Sequence, residues 1–111
     1  MHEVFKALSS EHRIEILRLI AELTASKRDA SCCAPNEICV CKISERLDLA
    51  PSTISHHLNS LREAGVLKAR REGTWIYYSI DEGRLREAAE FLLSIGRRAI
   101  GRDPIEKRSV R

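Results

Sequence analysis

Four cysteines fall between residues 32 and 41, and the 111-residue chain has no others. They are Cys32, Cys33, Cys39 and Cys41, in the segment SCCAPNEICVC. Thiolates select soft ions such as As(III), Sb(III), Cd, Pb, Zn and Cu(I). Two neighbouring thiols can also form a disulfide. The cluster therefore predicts a metal or metalloid site, with a dithiol redox switch as the alternative, and an inert group of thiols is disfavoured.

The spacing of Cys39 and Cys41 conflicts with the helix that they enter. We predict a helix over residues 41–48, and side chains two positions apart on a helix point about 200° apart. Both sulfurs can then bind one ion only if the first turn is extended or unwound. Ion binding would distort the start of this helix, and with it the helix that follows.

Hydrophobic periodicity predicts the elements that position the cysteines. We expect a loop over 24–38, and a β-hairpin over 66–71 and 75–80 with Gly73 in its turn. Pro51 suits a first helical turn and Gly65 a helix end. The predicted helices cover residues 2–8, 11–23, 41–48, 51–64 and 82–99. The chain is therefore predicted to be mainly α with a β-hairpin wing, one domain over 1–100, followed by a flexible tail over 101–111.

The helices at 41–48 and 51–64, followed by a hairpin, have the order of a winged helix-turn-helix. The second helix would enter the major groove of DNA, and the hairpin would lie by the backbone or minor groove. His56 and His57 diverge by about 100° and cannot chelate one ion together. We expect one to face DNA and the other to pack inside. The predicted contacts are Ser52, Thr53, Ser55, His56, Asn59 and Arg62 on the helix, and Lys68, Arg70 and Arg71 on the wing for phosphates.

Composition is compatible with this prediction. The net charge of +3 and the pI of about 8.8 permit nucleic-acid binding without requiring it. No apolar run approaches the roughly 18 residues of a membrane span, and the N-terminus lacks the features of a signal peptide. We expect a cytoplasmic protein that does not bind membranes. No nucleophile elbow, phosphate loop or carboxylate pair suggests an enzyme.

Apolar side chains exceed what one small domain can cover. Phe91, Leu93 and Ile95 widen the apolar surface of the last helix, and Phe5 and Leu8 leave apolar surface on the first. This surplus indicates a homodimer through the first and last helices.

The sequence resembles the ArsR/SmtB family of homodimeric winged-helix repressors over roughly residues 3–95. The resemblance is carried by FKALSSEHRIEILRLI, by STISHHLNSLREAGVL and by a wing ending WIYYSI. It implies a repressor that binds palindromic double-stranded operator DNA and is released by metal ions, metalloids or thiol oxidation. It also implies a dimer interface from the first and last helices.

The resemblance also bears on the ligand set. Arsenic-responsive members have a third cysteine three residues after the CVC motif, where this chain has Ser44. Cadmium- and lead-type members add cysteines from an N-terminal extension, a role that Cys32 and Cys33 could take here. Zinc-sensing members carry Asp and His ligands on the last helix, and helix 82–99 has no His.

Adjacent cysteines seldom bind one ion together. We therefore expect three sulfurs, from Cys39, Cys41 and either Cys32 or Cys33, to bind arsenite. Cd or Zn is the alternative ion. Because members of this family are also released by thiol oxidation, redox sensing is the alternative function.

Overall fold

A computed structural model describes residues 1–25 and 37–100. Cys32, Cys33 and the predicted tail at 101–111 lie outside the described residues. None of the helices in the described part is both long enough and apolar enough to cross a membrane. The elements are α1 (His2–Ala7), α2 (Glu11–Ala25), β1 (Ile38–Cys39), α3 (Val40–Arg46), α4 (Pro51–Glu63), β2 (Leu67–Glu72), β3 (Trp75–Ile80) and α5 (Glu82–Ile100).

The tight turn between α3 and α4 follows from the residues at its ends. Leu47 ends α3 in an extended conformation, and Ala50 is extended before Pro51, which occupies the first turn of α4. At the other end of α4, Gly65 has a φ of +86°. The Val66 N–H donates to the Leu61 carbonyl over 3.0 Å, which closes a glycine-dependent helix end. The predicted helix-turn-helix is confirmed.

The sheet in the described residues has three strands rather than the predicted two. Its order is β1-β3-β2, and all neighbours are antiparallel. The predicted loop over 24–38 is wrong at both ends, because α2 continues to Ala25 and Ile38 begins β1. Two residues are too few for a periodic signal, and β1 exists through its pairing with β3. The hairpin turns at Gly73, whose φ of +63° suits glycine.

One apolar core joins the helices to the sheet. Its fully buried side chains include Ile16 and Ile20 of α2, Ile43 of α3, and Ile54, Leu58 and Leu61 of α4. On α2, Ile14 and Ala21 lie outside this buried surface and are exposed. In the described part of the chain, α2 lies against α3, α4 and β3.

Helix α5 extends away from this core. Ala88 is the one buried residue of α5, whereas Phe91, Leu92, Leu93 and Ile95 are 46 to 55% exposed. The Phe5 and Phe91 rings lie 5.9 Å apart between centroids, so α1 and α5 contact each other at this point. The helix-turn-helix followed by a hairpin makes the fold a winged helix-turn-helix, as predicted.

Candidate functional site

Cys39 and Cys41 lie at the junction of β1 and α3. Cys39 is the last residue of the strand and the N-cap of the helix, with extended backbone angles (φ −68°, ψ 143°). Because Cys39 precedes the first helical turn, its side chain does not diverge from that of Cys41. The two Sγ atoms lie 3.0 Å apart. The sequence predicted that both sulfurs can bind one ion only if the first turn is extended or unwound, and the extended backbone of Cys39 meets the first of these conditions.

The two thiols have different surroundings. Cys39 is buried, Cys41 is partly exposed, and both are free. The hydrogen bond with Cys39 raises the pKa of the Cys41 thiol above its ordinary value of 9.0, and partial burial raises it further. The Cys41 thiol is therefore protonated at neutral pH, and its proton must leave when sulfur binds an ion.

Within residues 1–25 and 37–100, no three His, Cys, Asp or Glu side chains are grouped to hold a metal ion. Ser44, at the position where the arsenic-responsive pattern has a third cysteine, is exposed on α3. A third sulfur would have to come from Cys32 or Cys33, which are outside these ranges.

The separation of the two sulfurs fits a single soft centre. With sulfur bonds of about 2.3 Å, a tetrahedral ion such as Zn²⁺ needs its sulfurs about 3.8 Å apart. A pyramidal centre with bond angles near 90° needs only about 3.3 Å at the same bond length. The observed 3.0 Å is closer to the pyramidal requirement, and rotation of the partly exposed Cys41 side chain can supply the remainder.

Helix α4 presents a polar stripe opposite its buried face. The predicted contacts Ser52, Ser55, His56, Asn59 and Arg62 are all exposed, and Thr53 is half-buried at the edge of the stripe. Arg62 donates from Nη2 to Asn59 Oδ1 over 2.6 Å, which orients the Asn59 amide. Glu63 accepts from the Asn59 Nδ2 group over 3.4 Å and was not anticipated from the sequence.

His56 and His57 separate as expected. His56 is exposed, whereas His57 faces α2 and accepts a hydrogen bond from Arg13 Nε at Nδ1 over 3.2 Å. Burial lowers the pKa of His57, and the positive charge of Arg13 lowers it further. His57 therefore fixes α4 against α2 as a neutral acceptor.

The three basic residues of the wing are not equivalent. Lys68 and Arg71 are exposed and form no ion pair within the described residues. Arg70 instead pairs with Glu37, Nη2 to Oε1 over 2.8 Å, and with Glu72 over 3.1 Å. No sequence signal indicated the Glu37 contact, because it spans 33 positions and depends on the presence of β1. Lys68 and Arg71 are thus the wing cations available to phosphate.

A winged helix-turn-helix with a polar stripe on its second helix defines a DNA-binding protein. A family model described as "Bacterial regulatory protein, arsR family" matches residues 10–69, more than half of the chain. The chain belongs to the ArsR family of transcriptional regulators, as its sequence suggested. It is accordingly a DNA-binding regulator and not an enzyme.

Several curated relatives have resistance functions. The chain is 44% identical to an uncharacterized HTH-type transcriptional regulator of Methanocaldococcus jannaschii, over 77% of this chain and 82% of the relative. It is 32% identical to a cadmium resistance regulatory protein CadC homolog of Staphylococcus aureus, over 79% and 63%. It is 39% identical to an arsenic resistance transcriptional regulator of Pseudomonas putida, over 69% and 51%. The chain thus spans about half to two thirds of these two resistance regulators.

Solved structures agree with the fold. One is the solution structure of a homodimeric winged helix-turn-helix DNA-binding domain from Mycobacterium bovis, a possible ArsR-family regulator. It is 30% identical, with a TM-score of 0.60, over 86% of this chain and 78% of that one. A crystal structure of another ArsR family regulator has a TM-score of 0.71 at 15% identity, over 92% of both chains, and supports the fold alone.

Proposed function

We propose that this chain is a cytoplasmic, homodimeric repressor that leaves palindromic double-stranded operator DNA when its cysteines capture a thiophilic ion. Arsenite is the favoured ion. Cys39 and Cys41 supply two sulfurs, and Cys32 or Cys33 supplies the third. The observation that carries this proposal is the 3.0 Å separation of two free thiols where the sheet meets the helix-turn-helix.

The chemistry of the thiols favours arsenite over a divalent ion. Arsenite in neutral water is the uncharged acid As(OH)₃. Each thiol that condenses with it forms one As–S bond, and the thiol proton leaves with an OH group as water. A divalent ion must instead expel a proton into solution. The raised pKa of Cys41 opposes the second reaction at neutral pH and does not oppose the first.

DNA binding is proposed for the polar stripe of α4 and for the wing. Ser52, Thr53, Ser55, His56 and Asn59 would reach base edges or phosphates in the major groove, and Arg62 would contact the backbone. Lys68 and Arg71 would neutralise phosphates. Arg70 remains a proposed phosphate contact, but it would have to break its ion pairs with Glu37 and Glu72 before it could bind a DNA phosphate.

Release follows from the position of the cysteine pair. Cys39 belongs to the strand and Cys41 to the helix, so an ion held by both fixes the angle between β1 and α3. Ile43 of α3 shares a core with Ile54 and Leu58 of α4. A shift of α3 is therefore transmitted to the reading helix, and the two reading helices of a dimer must keep the spacing of their half-sites.

Two alternatives within the same fold have some support. Cadmium, lead or zinc sensing is favoured by the likeness to the cadmium resistance relative and would use up to four sulfurs. Thiol oxidation is favoured by the short Sγ–Sγ distance but opposed by the raised pKa of Cys41, because the thiolate is the reactive form.

The decisive experiment is a titration of the protein on a duplex that it has selected from a random pool. Arsenite, Cd²⁺, Zn²⁺ and a mild oxidant are added separately, with and without reductant. We expect arsenite to weaken binding at least about fivefold, at the low end of ordinary allosteric coupling. In Cys39→Ser with Cys41→Ser, the affinity for the duplex should stay within about twofold of wild type, and the arsenite effect should vanish.

The matched control is Ser44→Ala, an exposed change three residues after Cys41 that leaves both thiols intact. It should respond to arsenite like the wild type. Persistence of release in the double serine variant would place the sensor elsewhere. Release by the oxidant alone, reversed by reductant, would favour redox sensing instead.

A further inference from the structure

The Arg70 guanidinium contacts three side chains: Glu72 and Tyr77 of the sheet, and Glu37, which directly precedes β1. We call this arrangement the clasp. Its Nε and Nη2 groups donate to both carboxylate oxygens of Glu37, over 2.8 to 3.2 Å. Its Nη1 group donates to Glu72 over 3.1 Å. Its guanidinium carbon lies 4.6 Å from the centre of the Tyr77 ring. A two-pronged ion pair against an aromatic face fixes the guanidinium more firmly than a single surface contact would.

The clasp lies in register with the cysteine pair. Cys39 is paired with Tyr77 across β1 and β3, and Tyr77 with Arg70 across β3 and β2. Directly paired residues project from the same face of a sheet, so these three form one row. Glu37 precedes Cys39 by two positions and is therefore on that face too. One end of the row is a thiol of the proposed ion site, and the other end is in the wing.

The partners of Arg70 differ in their surroundings. The Glu37 side chain is only 12% exposed and directly precedes β1, whereas the Glu72 side chain is 70% exposed and belongs to the wing itself. Glu37 therefore links two separate segments of the chain, and Glu72 links none. Glu37 is the shielded partner of this pair, whereas the Arg70 side chain is 45% exposed.

We propose that Glu37 and Arg70 are positioning residues that transmit the occupancy of the cysteine pair to the wing. This inference rests on the proposed ion site. An ion bound by Cys39 and Cys41 fixes the angle between β1 and α3, and β1, a strand of two residues with little pairing of its own, shifts with it. Glu37 moves with Cys39, and Tyr77 and Arg70 follow because they contact these two residues.

The charge of the wing gives this movement an effect on DNA binding. Glu37, Glu72 and Arg70 together carry a net charge of −1, beside the two cations Lys68 and Arg71 that face phosphates in the proposed complex. Arg70 compensates the negative charge of Glu37, which would otherwise repel the DNA phosphates. The distance between the two side chains therefore sets how strong this repulsion is. Displacement of Glu37 or Arg70 therefore alters both the orientation and the potential of the wing.

The test measures the release ratio, the dissociation constant for the selected duplex with saturating arsenite divided by that without it. Glu37→Gln removes the ion pair and keeps the shape of the side chain. We expect its ratio to fall to within about twofold of one, so that arsenite hardly weakens binding. Glu72→Gln, the matched control, removes the same charge from the same arginine without touching β1, and its ratio should stay within about twofold of wild type.

Arsenite binding is measured separately, by the near-ultraviolet absorption of arsenic–sulfur bonds. Glu37→Gln should keep this signal with unchanged stoichiometry. If the wild type neither binds arsenite nor responds to it, the proposed function fails. If the wild type responds and Glu37→Gln responds equally, the proposed function stands and the coupling role is overturned. An equal loss in Glu72→Gln also overturns it, because the effect would then be general electrostatics.

A second variant covers the case in which Glu37→Gln does not fold, as judged by its circular dichroism and melting curve. Arg70→Lys retains the positive charge but cannot make the two-pronged contact with Glu37. Its release ratio should also fall to within about twofold of one. If Arg70→Lys kept the wild-type release ratio, the geometry of the clasp would not couple the cysteine pair to the wing.

Discussion

Cys39 and Cys41 show how one backbone residue decides the chemistry of a pair. Within a continuous helix the two side chains would diverge, but the extended angles of Cys39 bring the sulfurs to 3.0 Å. The same proximity raises the pKa of Cys41 and keeps its proton in place. The geometry that favours capture of one ion by two sulfurs therefore also makes the capture of a divalent ion depend on proton release.

The pH dependence of binding should distinguish the ions. A thiol with a raised pKa keeps its proton at every pH below that pKa. In this range, Cd²⁺ must expel the proton in order to bind, so its affinity rises about tenfold per pH unit for each proton expelled. Cadmium affinity should rise between pH 6 and 8 by about 100-fold for each thiol proton released. Arsenite affinity should change by less than about threefold, because its condensation releases water.

Calorimetric titration of the full chain at pH 6, 7 and 8 would measure both affinities. Cys41→Ser is the control, since it removes the thiol whose pKa is raised. An arsenite affinity that rises as steeply as that for cadmium would contradict the condensation argument.

At the scale of elements, the basic side chains of the wing hairpin differ in how freely they can bind a DNA phosphate. Lys68 and Arg71 are exposed, whereas the charge of Arg70 is offset by Glu37 and Glu72. These ion pairs also raise the pKa of Arg70, so it remains charged under all ordinary conditions. Its contribution to phosphate binding is limited by its partners and not by protonation.

Salt dependence should report this difference. Replacing Lys68 or Arg71 with Ala should lower the slope of log affinity against log salt by about 0.9 for each phosphate that the side chain neutralises. Arg70→Ala should lower the slope by less than about half of that, because its charge is already compensated. Fluorescence anisotropy between 50 and 300 mM salt measures the slopes. A larger effect for Arg70 than for Arg71 would mean that Arg70 leaves Glu37 on DNA.

The elements predicted from sequence are those with a strong local signal. Pro51 and Gly65 marked the limits of α4, and the alternation around Gly73 marked the hairpin, each because backbone chemistry acts over a few residues. β1 and the contact between Glu37 and Arg70 had no such signal, since both depend on pairing between distant segments. The sequence predicted that Cys39 and Cys41 need an extended or unwound backbone to bind one ion, but it did not show that α3 begins at Val40 and leaves Cys39 extended.

At the scale of the whole molecule, the unpartnered surface of α5 is the main feature. Phe91, Leu92, Leu93 and Ile95 are about half exposed in one chain, and Phe5 of α1 lies beside Phe91. A stretch that is apolar on more than one side of a helix is stable in water only when another surface covers it. A second copy of the chain is the proposed partner, in line with the homodimeric M. bovis relative.

Leu92→Glu should disrupt this dimer. Placing a carboxylate in a closed apolar interface should weaken dimerisation at least about 100-fold. Sedimentation velocity at micromolar concentration would then give mostly monomer, whereas Lys42→Glu, an exposed change on α3, should stay dimeric. A monomeric wild type, or a dimeric Leu92→Glu, would rule out α5 as the interface.

The short strand β1 also has a consequence for how such a regulator can change its ligand. Two pairs of residues, Ile38 with Tyr78 and Cys39 with Tyr77, fix where the chain rejoins the fold before α3. The sequence that precedes Glu37 can therefore vary without shifting the register of the DNA-reading elements, and doubling the length of a connecting segment costs only about 0.6 kcal/mol. An insertion there can add new ligand donors, while the pair Cys39 and Cys41 and the DNA-binding elements stay unchanged.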